Sequence, residues 1–317
     1  MFNSLQESVT SDEDLHRDYT TSQLGLHDLL REWRAEMDAY SHEPGRYRLM
    51  VTESYDYNEV EKTMMYYSTP LAKESDFPFN FYLLDLPQNN SGLWVKQLVD
   101  LWMANMPRGQ WANWVVGNHD KPRIASTAGQ TYVALINMLL LTLPGTPNTY
   151  YGEELGMENI NITGSQDPAG KYNMVQKTDE GSVLAQYRFL SILRQSEVPL
   201  YRGWFCYIYA DADVFAYLRE LDGLDQAFLI VLNFGTKSKM TDLSAVSELP
   251  QQLRVRMSTN RANDGKLLQK SHIQTEAGEG LVIEYSSHTR FNPNHLDECF
   301  ISEKACYLKV LGLLYTC

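Results

Sequence analysis

The sequence predicts an α/β fold in two parts, a parallel sheet with crossover helices over residues 1–199 and a separate antiparallel β domain over residues 200–317. In the first part, four short apolar segments that resemble strands alternate with helical segments, which is typical of βαβ units. In the second part, strand-like runs follow one another with Gly, Asn and Ser between them. A chain of 317 residues is long enough for two such domains.

Each element of the first part has its own signal. Before the first strand, a helix is predicted at 22–40, where Leu, Trp and Met recur at helical spacing. The strands are predicted at 46–54, 77–86, 111–118 and 146–154. The helices that follow them are predicted at 58–67, 93–106, 127–143 and 182–197. Strand and helix therefore alternate four times in series, which predicts parallel pairing.

The second part opens with a hairpin signal. In "WFCYIYADADVFAYLREL", two β-rich runs flank Asp211 and Asp213. Further strands are predicted in "QAFLIVLNFG", "QQLRVRMSTN" and "GLVIEYSS", and no helix of note interrupts them before the tail. This pattern predicts an antiparallel β domain.

The composition argues against several classes of function. The chain has 27 Lys and Arg against 40 Asp and Glu, a net charge of −13, whereas binding to a nucleic-acid backbone needs a basic surface. The glycine-rich motifs GxxxxGK[ST] and GxGxxG, which bind phosphate groups, do not occur in the sequence. The longest apolar run, Tyr132 to Leu143, is too short to span a bilayer, and the acidic N-terminus lacks the apolar core of a signal peptide. We therefore predict no nucleic-acid partner, no cofactor, no metal and no transmembrane segment in this chain.

The cysteines and two sequons bear on the compartment. Four cysteines allow three pairings, and they are Cys206, Cys299, Cys306 and Cys317. A local bridge between the last two is one of these pairings, and it would leave Cys206 with Cys299. The alternative is four buried thiols in a cytosolic protein. Possible glycosylation sites at Asn89 and Asn161 favour an extracellular, oxidising compartment.

Polar side chains that suit sugar chemistry follow the predicted strands. The first strand ends at Glu53, and the third ends at Asn118, His119 and Asp120. The carboxyl ends of parallel strands share one face, so Glu53 and Asp120 are expected to converge there. Two carboxylates beside an imidazole suit glycoside hydrolysis, in which one acid protonates the leaving oxygen. The alternative is that these carboxylates are helix caps or loop residues.

Three motifs resemble the α-amylase clan, glycoside hydrolase family 13. "VVGNHDKPRIAS" is similar to the seventh-strand motif of this clan, "RLMVTESY" to its fifth-strand motif, and "LLTLPGTPNTYYGEELGMEN" to its eighth-strand region in maltases and α-glucosidases. The resemblance implies the second half of a TIM (β/α)8 barrel followed by an antiparallel β-sandwich. It also implies that Glu53 is the catalytic acid–base, that His119 and Asp120 bind and distort the sugar, and that Arg123 lies near them.

The C-terminal region resembles the rBAT-like heavy chains of heteromeric amino acid transporters. The resemblance rests on "RGWFCYIYADADVFAYLRELDGLDQAFLIVLNFG" and "ECFISEKACYLKVLGLLYTC". It implies two disulfides, Cys206–Cys299 and Cys306–Cys317. For the full-length protein it implies a type II membrane protein on the extracellular face of the plasma membrane, whose membrane helix precedes this chain. Such a heavy subunit assembles with and traffics a light-chain transporter of the b(0,+)AT type, which carries cystine, basic and neutral amino acids.

Three features depart from the glycosidase pattern. The fourth-strand motif GxRxD, which carries the nucleophile in the clan, does not occur in this sequence, and residue 1 is interpreted as following that strand. The segment after Glu158 is shorter than in the clan's enzymes, whereas the Asn-His-Asp motif is intact. We therefore predict a heavy-chain ectodomain that does not hydrolyse glycosides. The alternatives are a maltase-like α-glucosidase without its N-terminal half, and a non-functional fragment of either protein.

Overall fold

The computed structural model describes residues 23–54, 59–88, 91–159, 176–287 and 299–300. The chain divides into two compact units, Met1–Pro78 and Phe79–Cys317. The boundary at 199/200 expected from the sequence stays a prediction.

In the described residues of the first unit, two helices accompany one parallel strand pair. Its elements are α1 (Leu24–Ala39), β1 (Val51–Thr52), α2 (Val60–Met64) and β2 (Phe77–Pro78). The strands β1 and β2 pair in parallel, with Val51 opposite Phe77. Leu30, Met50 and Tyr66 form a small apolar cluster under α1. The helix predicted at 22–40 is therefore confirmed.

Helices surround a second parallel pair in the first half of the second unit. Its elements are a 3-10 helix (Tyr82–Gln88), α3 (Gly92–Met103), β3 (Asn113–Val115), α4 (Ile124–Thr127), α5 (Gln130–Thr142), β4 (Thr146–Asn148), a 3-10 helix (Glu153–Leu155), α6 (Val183–Ser196) and α7 (Val198–Arg202). The strands β3 and β4 run parallel, with Asn113 opposite Thr146. Ten residues of α5 are buried, which explains why its sequence is apolar on all sides.

An antiparallel sheet lies within the remaining described residues of the second unit. Its strands are β5 (Trp204–Ala210), β6 (Val214–Glu220), β7 (Gln226–Asn233), β9 (Gln252–Ser258), β10 (Leu267–Gln269), β12 (Gly280–Ser286) and β13 (Cys299–Phe300), in the order β10-β9-β12-β7-β6-β5-β13. A separate pair joins β8 (Lys239–Thr241) to β11 (Ile273–Thr275). The hairpin and the three further strands predicted from the sequence are confirmed, while β8, β10 and β11 were not predicted.

The antiparallel sheet is covered on both faces. One face shares an apolar core with Leu243, Leu249 and Ile273, which lie on or near the β8–β11 pair. The other face packs against α5, where the Tyr217 hydroxyl lies 2.6 Å from the Thr142 hydroxyl. Every residue of β6 is buried as a result.

Three predicted segments of the first part proved wrong in detail. The strand predicted at 77–86 ends at Pro78, because the Asn80 side chain accepts the Tyr82 N–H at 3.1 Å and starts a 3-10 turn. The helix predicted at 127–143 is two helices, α4 and α5, because Gly129 has a φ of 92° that interrupts the helix. The strand predicted at 146–154 ends at Asn148, and a 3-10 helix follows Gly152.

Candidate functional site

In the first unit, Glu53 directly follows β1 and is exposed to solvent. Hydrogen bonds hold the strand before it. Asp76 accepts the Met50 N–H at 2.7 Å, and the Thr52 hydroxyl lies 3.0 Å from the Ser75 hydroxyl. Asp76 also contacts buried Arg34 at 3.3 Å. The strand that presents Glu53 is therefore held by a hydrogen bond just before β1 and by another within it.

In the second unit, a compact turn carries His119 and Asp120 just beyond β3. The Asn118 side-chain oxygen accepts the backbone N–H groups of Asp120 and Lys121, each at 3.1 Å. This turn brings His119 Nε2 to 3.4 Å from Asp120 Oδ1. Both side chains are more than half exposed, at 73% and 62%. An exposed imidazole and carboxylate side by side can accept and donate hydrogen bonds to a polyhydroxyl ligand.

Arg123 joins this turn to the segment that follows β4. Its Nη1 donates to the Tyr151 carbonyl at 2.6 Å, and its guanidinium lies 4.5 Å from the centre of the Tyr151 ring. Its backbone N–H donates to the Asn159 side chain at 3.1 Å. Arg123 thus belongs to the same segment as His119 and Asp120, and its predicted place at a sugar site stays a prediction.

Glu153 lies in the same segment and is buried, with 4% of its surface exposed. Its Oε2 accepts the Tyr150 N–H at 2.8 Å. Burial raises the pKa of Glu153 to about 7, against the lowering effect of the Tyr150 hydrogen bond. Glu153 was not predicted as a site residue, because one Glu beside another carries no sign in the sequence that it will be buried.

The structure brings together three of the four predicted sugar-site residues. His119, Asp120 and Arg123 lie on one segment of the second unit, and Glu53 belongs to the first unit. The convergence of Glu53 with Asp120 therefore stays a prediction.

The predicted disulfide and glycosylation sites lie partly outside the described residues. Cys206 is disulfide-bonded, and Cys299 lies opposite it in the β5–β13 pairing. Cys306, Cys317, Asn89 and Asn161 lie outside the described ranges. Ser91, the third residue of the first sequon, caps α3 by accepting the Trp94 N–H at 3.5 Å.

Two features are absent from the described residues, a membrane-spanning helix and a metal-binding cluster. No helix there combines the length and apolar character that a bilayer crossing requires. No group of three His, Cys, Asp or Glu side chains in those ranges is arranged to hold a metal ion.

Comparison with known proteins identifies the family. The sequence profile described as "Alpha amylase, catalytic domain" matches residues 2–187. The chain belongs to the alpha-amylase family. This match includes Glu53, the His119–Asp120 turn and the Glu153 segment, so the alpha-amylase resemblance predicted from the sequence is confirmed.

Individual relatives of this alpha-amylase family member fall into two groups. The chain is 41% identical to the human "Amino acid transporter heavy chain SLC3A1", over 98% of the chain and 51% of that protein. It is 32% identical to an alpha-glucosidase of Culex pipiens, over 78% of the chain and 48% of that protein. The chain spans about half the length of the curated relatives it matches. The predicted similarity to transporter heavy chains is confirmed.

A solved structure supports the fold class. The trehalose-6-phosphate hydrolase of Bacillus licheniformis matches 87% of the chain and 62% of its own length, with a TM-score of 0.68 and 21% identity. At this identity the match shows the fold alone. The predicted α-amylase-type barrel architecture followed by antiparallel sheet is therefore confirmed.

Proposed function

We propose that this chain is part of the heavy subunit of a heteromeric amino acid transporter. One observation carries the proposal: the identity to the human heavy chain is 41% over 98% of the chain, against 32% over 78% for the mosquito alpha-glucosidase. The similarity to heavy chains thus extends beyond the 2–187 match into the antiparallel sheet and the tail. The subunit would assemble with a light-chain transporter of the b(0,+)AT type and bring it to the cell surface.

In this proposal residues 200–317 form an extracellular β domain that follows the barrel part, 1–199. The disulfide at Cys206 supports an oxidising compartment, and Cys299 in the facing strand is its proposed partner. The second proposed bridge is Cys306–Cys317. Asn89 and Asn161 are proposed glycosylation sites on the same side of the membrane.

A chimera tests the proposal. The aligned stretch of the human heavy chain is replaced by this chain, and the chimera is co-expressed with a b(0,+)AT-type light chain. We expect surface biotinylation to recover the light chain, and uptake of cystine, basic and neutral amino acids to rise with it.

The matched control carries the corresponding stretch of the Culex pipiens alpha-glucosidase in the same human context. We expect this control to leave the light chain inside the cell, because in the proposal delivery to the surface depends on features of heavy chains that an alpha-glucosidase of the family does not share. Equal surface delivery by both chimeras, or none by the first, would contradict the proposal.

A second candidate function is α-glucosidase action by the longer protein. The intact Asn118-His119-Asp120 turn, together with Arg123 beside it, favours this candidate. In that case Glu53 would act as the acid–base, and His119, Asp120 and Arg123 would contact the sugar. In the heavy-chain proposal the same residues are remnants of that site.

A further inference from the structure

Glu153 is a buried acid that neither proposed function uses. Its Oε2 is bonded to the Tyr150 N–H, but its Oε1 is buried and has no hydrogen-bond partner among the described residues. Leaving a buried charged oxygen without a partner is costly, whereas a neutral carboxyl group tolerates such a place. The position therefore favours the protonated side chain.

The unpaired oxygen of Glu153 packs against the base of the His119–Asp120 turn. A side chain at Gly117 would meet it, since a Cβ built there lies 2.2 Å from Glu153 Oε1. Gly117 is buried and directly precedes Asn118, whose side chain forms the turn. Because Gly117 has no Cβ, the Glu153 carboxyl group can pack directly against the backbone that precedes the His119–Asp120 turn.

The charged neighbours of Glu153 couple its ionisation to the same turn. Arg123 acts to lower the pKa of Glu153, and Glu154 acts to raise it. The facing helix α5 contributes Asn137, which is uncharged and donates to the Glu153 carbonyl at 3.2 Å. The Arg123 Nη1 already donates to the Tyr151 carbonyl at 2.6 Å. An ionised Glu153 would compete for this guanidinium and loosen the link between the two segments.

We propose that Glu153 is a positioning residue whose neutral form holds the segment 117–123, and with it His119 and Asp120, in the geometry described. The inference goes beyond the proposed function and holds for either candidate. Because burial raises the pKa of Glu153 to about 7, the support is complete in mild acid and is lost as the pH rises through neutrality.

Hydrogen–deuterium exchange of the 317-residue chain tests this proposal at about pH 5.5 and about pH 8.5, with rates corrected for the intrinsic pH dependence of exchange. We expect the protection of 117–123 to fall about thirtyfold at the higher pH, because about 1.5 units above a pKa of about 7 the neutral carboxyl is about thirty times rarer than the anion. Peptides of β7 serve as the fold reference. Glu153→Gln keeps the shape but cannot ionise, so its protection should be equal at both pH values.

Two further variants complete the test. Glu154→Gln is the matched control: its carboxylate accepts the Gly152 N–H at 2.7 Å, and its removal should lower the pKa of Glu153, so the fall in protection of 117–123 between the two pH values should persist. Gly117→Ala displaces the Glu153 side chain and should lower protection at both pH values. A wild-type pH response in Glu153→Gln, no pH response in the wild type, or full protection in Gly117→Ala would overturn the proposal.

Discussion

Two buried arginines contact carbonyl oxygens at the end of α5. Arg219 donates to the carbonyls of Thr142 and Gly203, the latter at 3.0 Å. Arg194 donates to the carbonyls of Leu141 at 2.8 Å and Leu143 at 2.9 Å. The last carbonyls of a helix have no partner within the helix, and here the two guanidinium groups supply it. Burial lowers the pKa of Arg219 to about 9 and that of Arg194 to about 10.

We predict that Arg219→Ala destabilises the chain by about 3 kcal/mol or more, because it leaves two buried carbonyls unpaired and opens a cavity. Denaturant unfolding followed by circular dichroism measures the loss. Arg256→Ala is the control, since this arginine is 44% exposed and its ion pairs are 3.8 and 3.9 Å long, so little change is expected. Equal losses in both variants would contradict the prediction.

We also predict that the 317-residue chain releases no glucose from maltose. A retaining mechanism needs two carboxyl groups that flank the scissile bond, and the GxRxD motif that carries the second one in the clan does not occur in this sequence. A coupled glucose assay with purified chain is the measurement, and Glu53→Gln is the paired variant. Glucose release that disappears in Glu53→Gln would show a working site.

At the scale of single residues, the sequence predicted side chains that lie just beyond the end of a strand. His119, Asp120 and Arg123 lie together because β3 stops at Val115 and a short turn follows. Glu153 and Arg219 were missed, because their roles depend on burial by segments distant in sequence. The sequence around a Glu that is next to another Glu, or around an Arg in a strand, does not predict which groups will surround that side chain in the folded protein.

Among the elements, the β5–β6 hairpin shows how a local signal succeeds. The Asp211 carboxylate accepts the N–H groups of Asp213 and Val214 at 2.9 and 2.7 Å. Although burial acts to raise the pKa of Asp211, these bonds and one from Tyr209 lower it to about 2. The turn chemistry lies within four consecutive residues and was therefore visible in the sequence. The short strands β8, β10 and β11 gave no comparable signal, because each is three residues long.

We expect non-reducing peptide mapping to recover two linked pairs, Cys206 with Cys299 and Cys306 with Cys317. The first pair would fasten β5 to β13, and the second closes a short loop that stabilises by roughly 3 kcal/mol in the chain-entropy model. Cys206→Ser should release only the first pair and leave the second intact. A peptide that joins Cys206 to Cys306 would refute this assignment.

On the scale of the whole molecule, the antiparallel sheet uses helices of the barrel part as one of its two layers. Tyr132 on α5 donates to the Gly235 carbonyl at 3.2 Å, and the Leu93 N–H donates to the Asp211 carbonyl at 2.8 Å. A Cβ on Gly92 would lie 2.1 Å from the Val214 carbonyl oxygen, so α3 and β6 are in direct contact. A boundary at 199/200 would expose this face of the sheet.

Limited proteolysis distinguishes a boundary at 78/79 from the boundary at 199/200 that the sequence predicts. From the contacts we expect the protease-resistant fragment to begin near residue 79, because Phe79–Cys317 is a single compact unit. N-terminal sequencing of the fragment gives the measurement. A fragment that begins near 200 would instead support the boundary predicted from the sequence and show that the β domain is stable alone.

We further predict that the isolated 317-residue chain self-associates. Among the described residues β4 pairs only with β3, so its other edge has no strand beside it there and is open to pairing with another chain. Light scattering should therefore show oligomers or aggregates. Thr146→Lys, at a partly buried position on β4, is expected to reduce association, since a charged side chain on an edge strand disfavours pairing with another chain. A monodisperse wild-type monomer would contradict the prediction.

The complete burial of β6 has a consequence for how the sheet chooses its pairing. The register of a strand is usually fixed because one of its faces is apolar and the other is polar. All seven residues of Val214–Glu220 are buried, so this difference between the faces is missing in β6. Slippage by one position would exchange the two faces and place the Arg219 guanidinium in the apolar core that now holds Leu218. An unpaired charge there costs several kcal/mol. Arg219, which donates to the Thr142 carbonyl at the end of α5, therefore also disfavours a shifted register of β6.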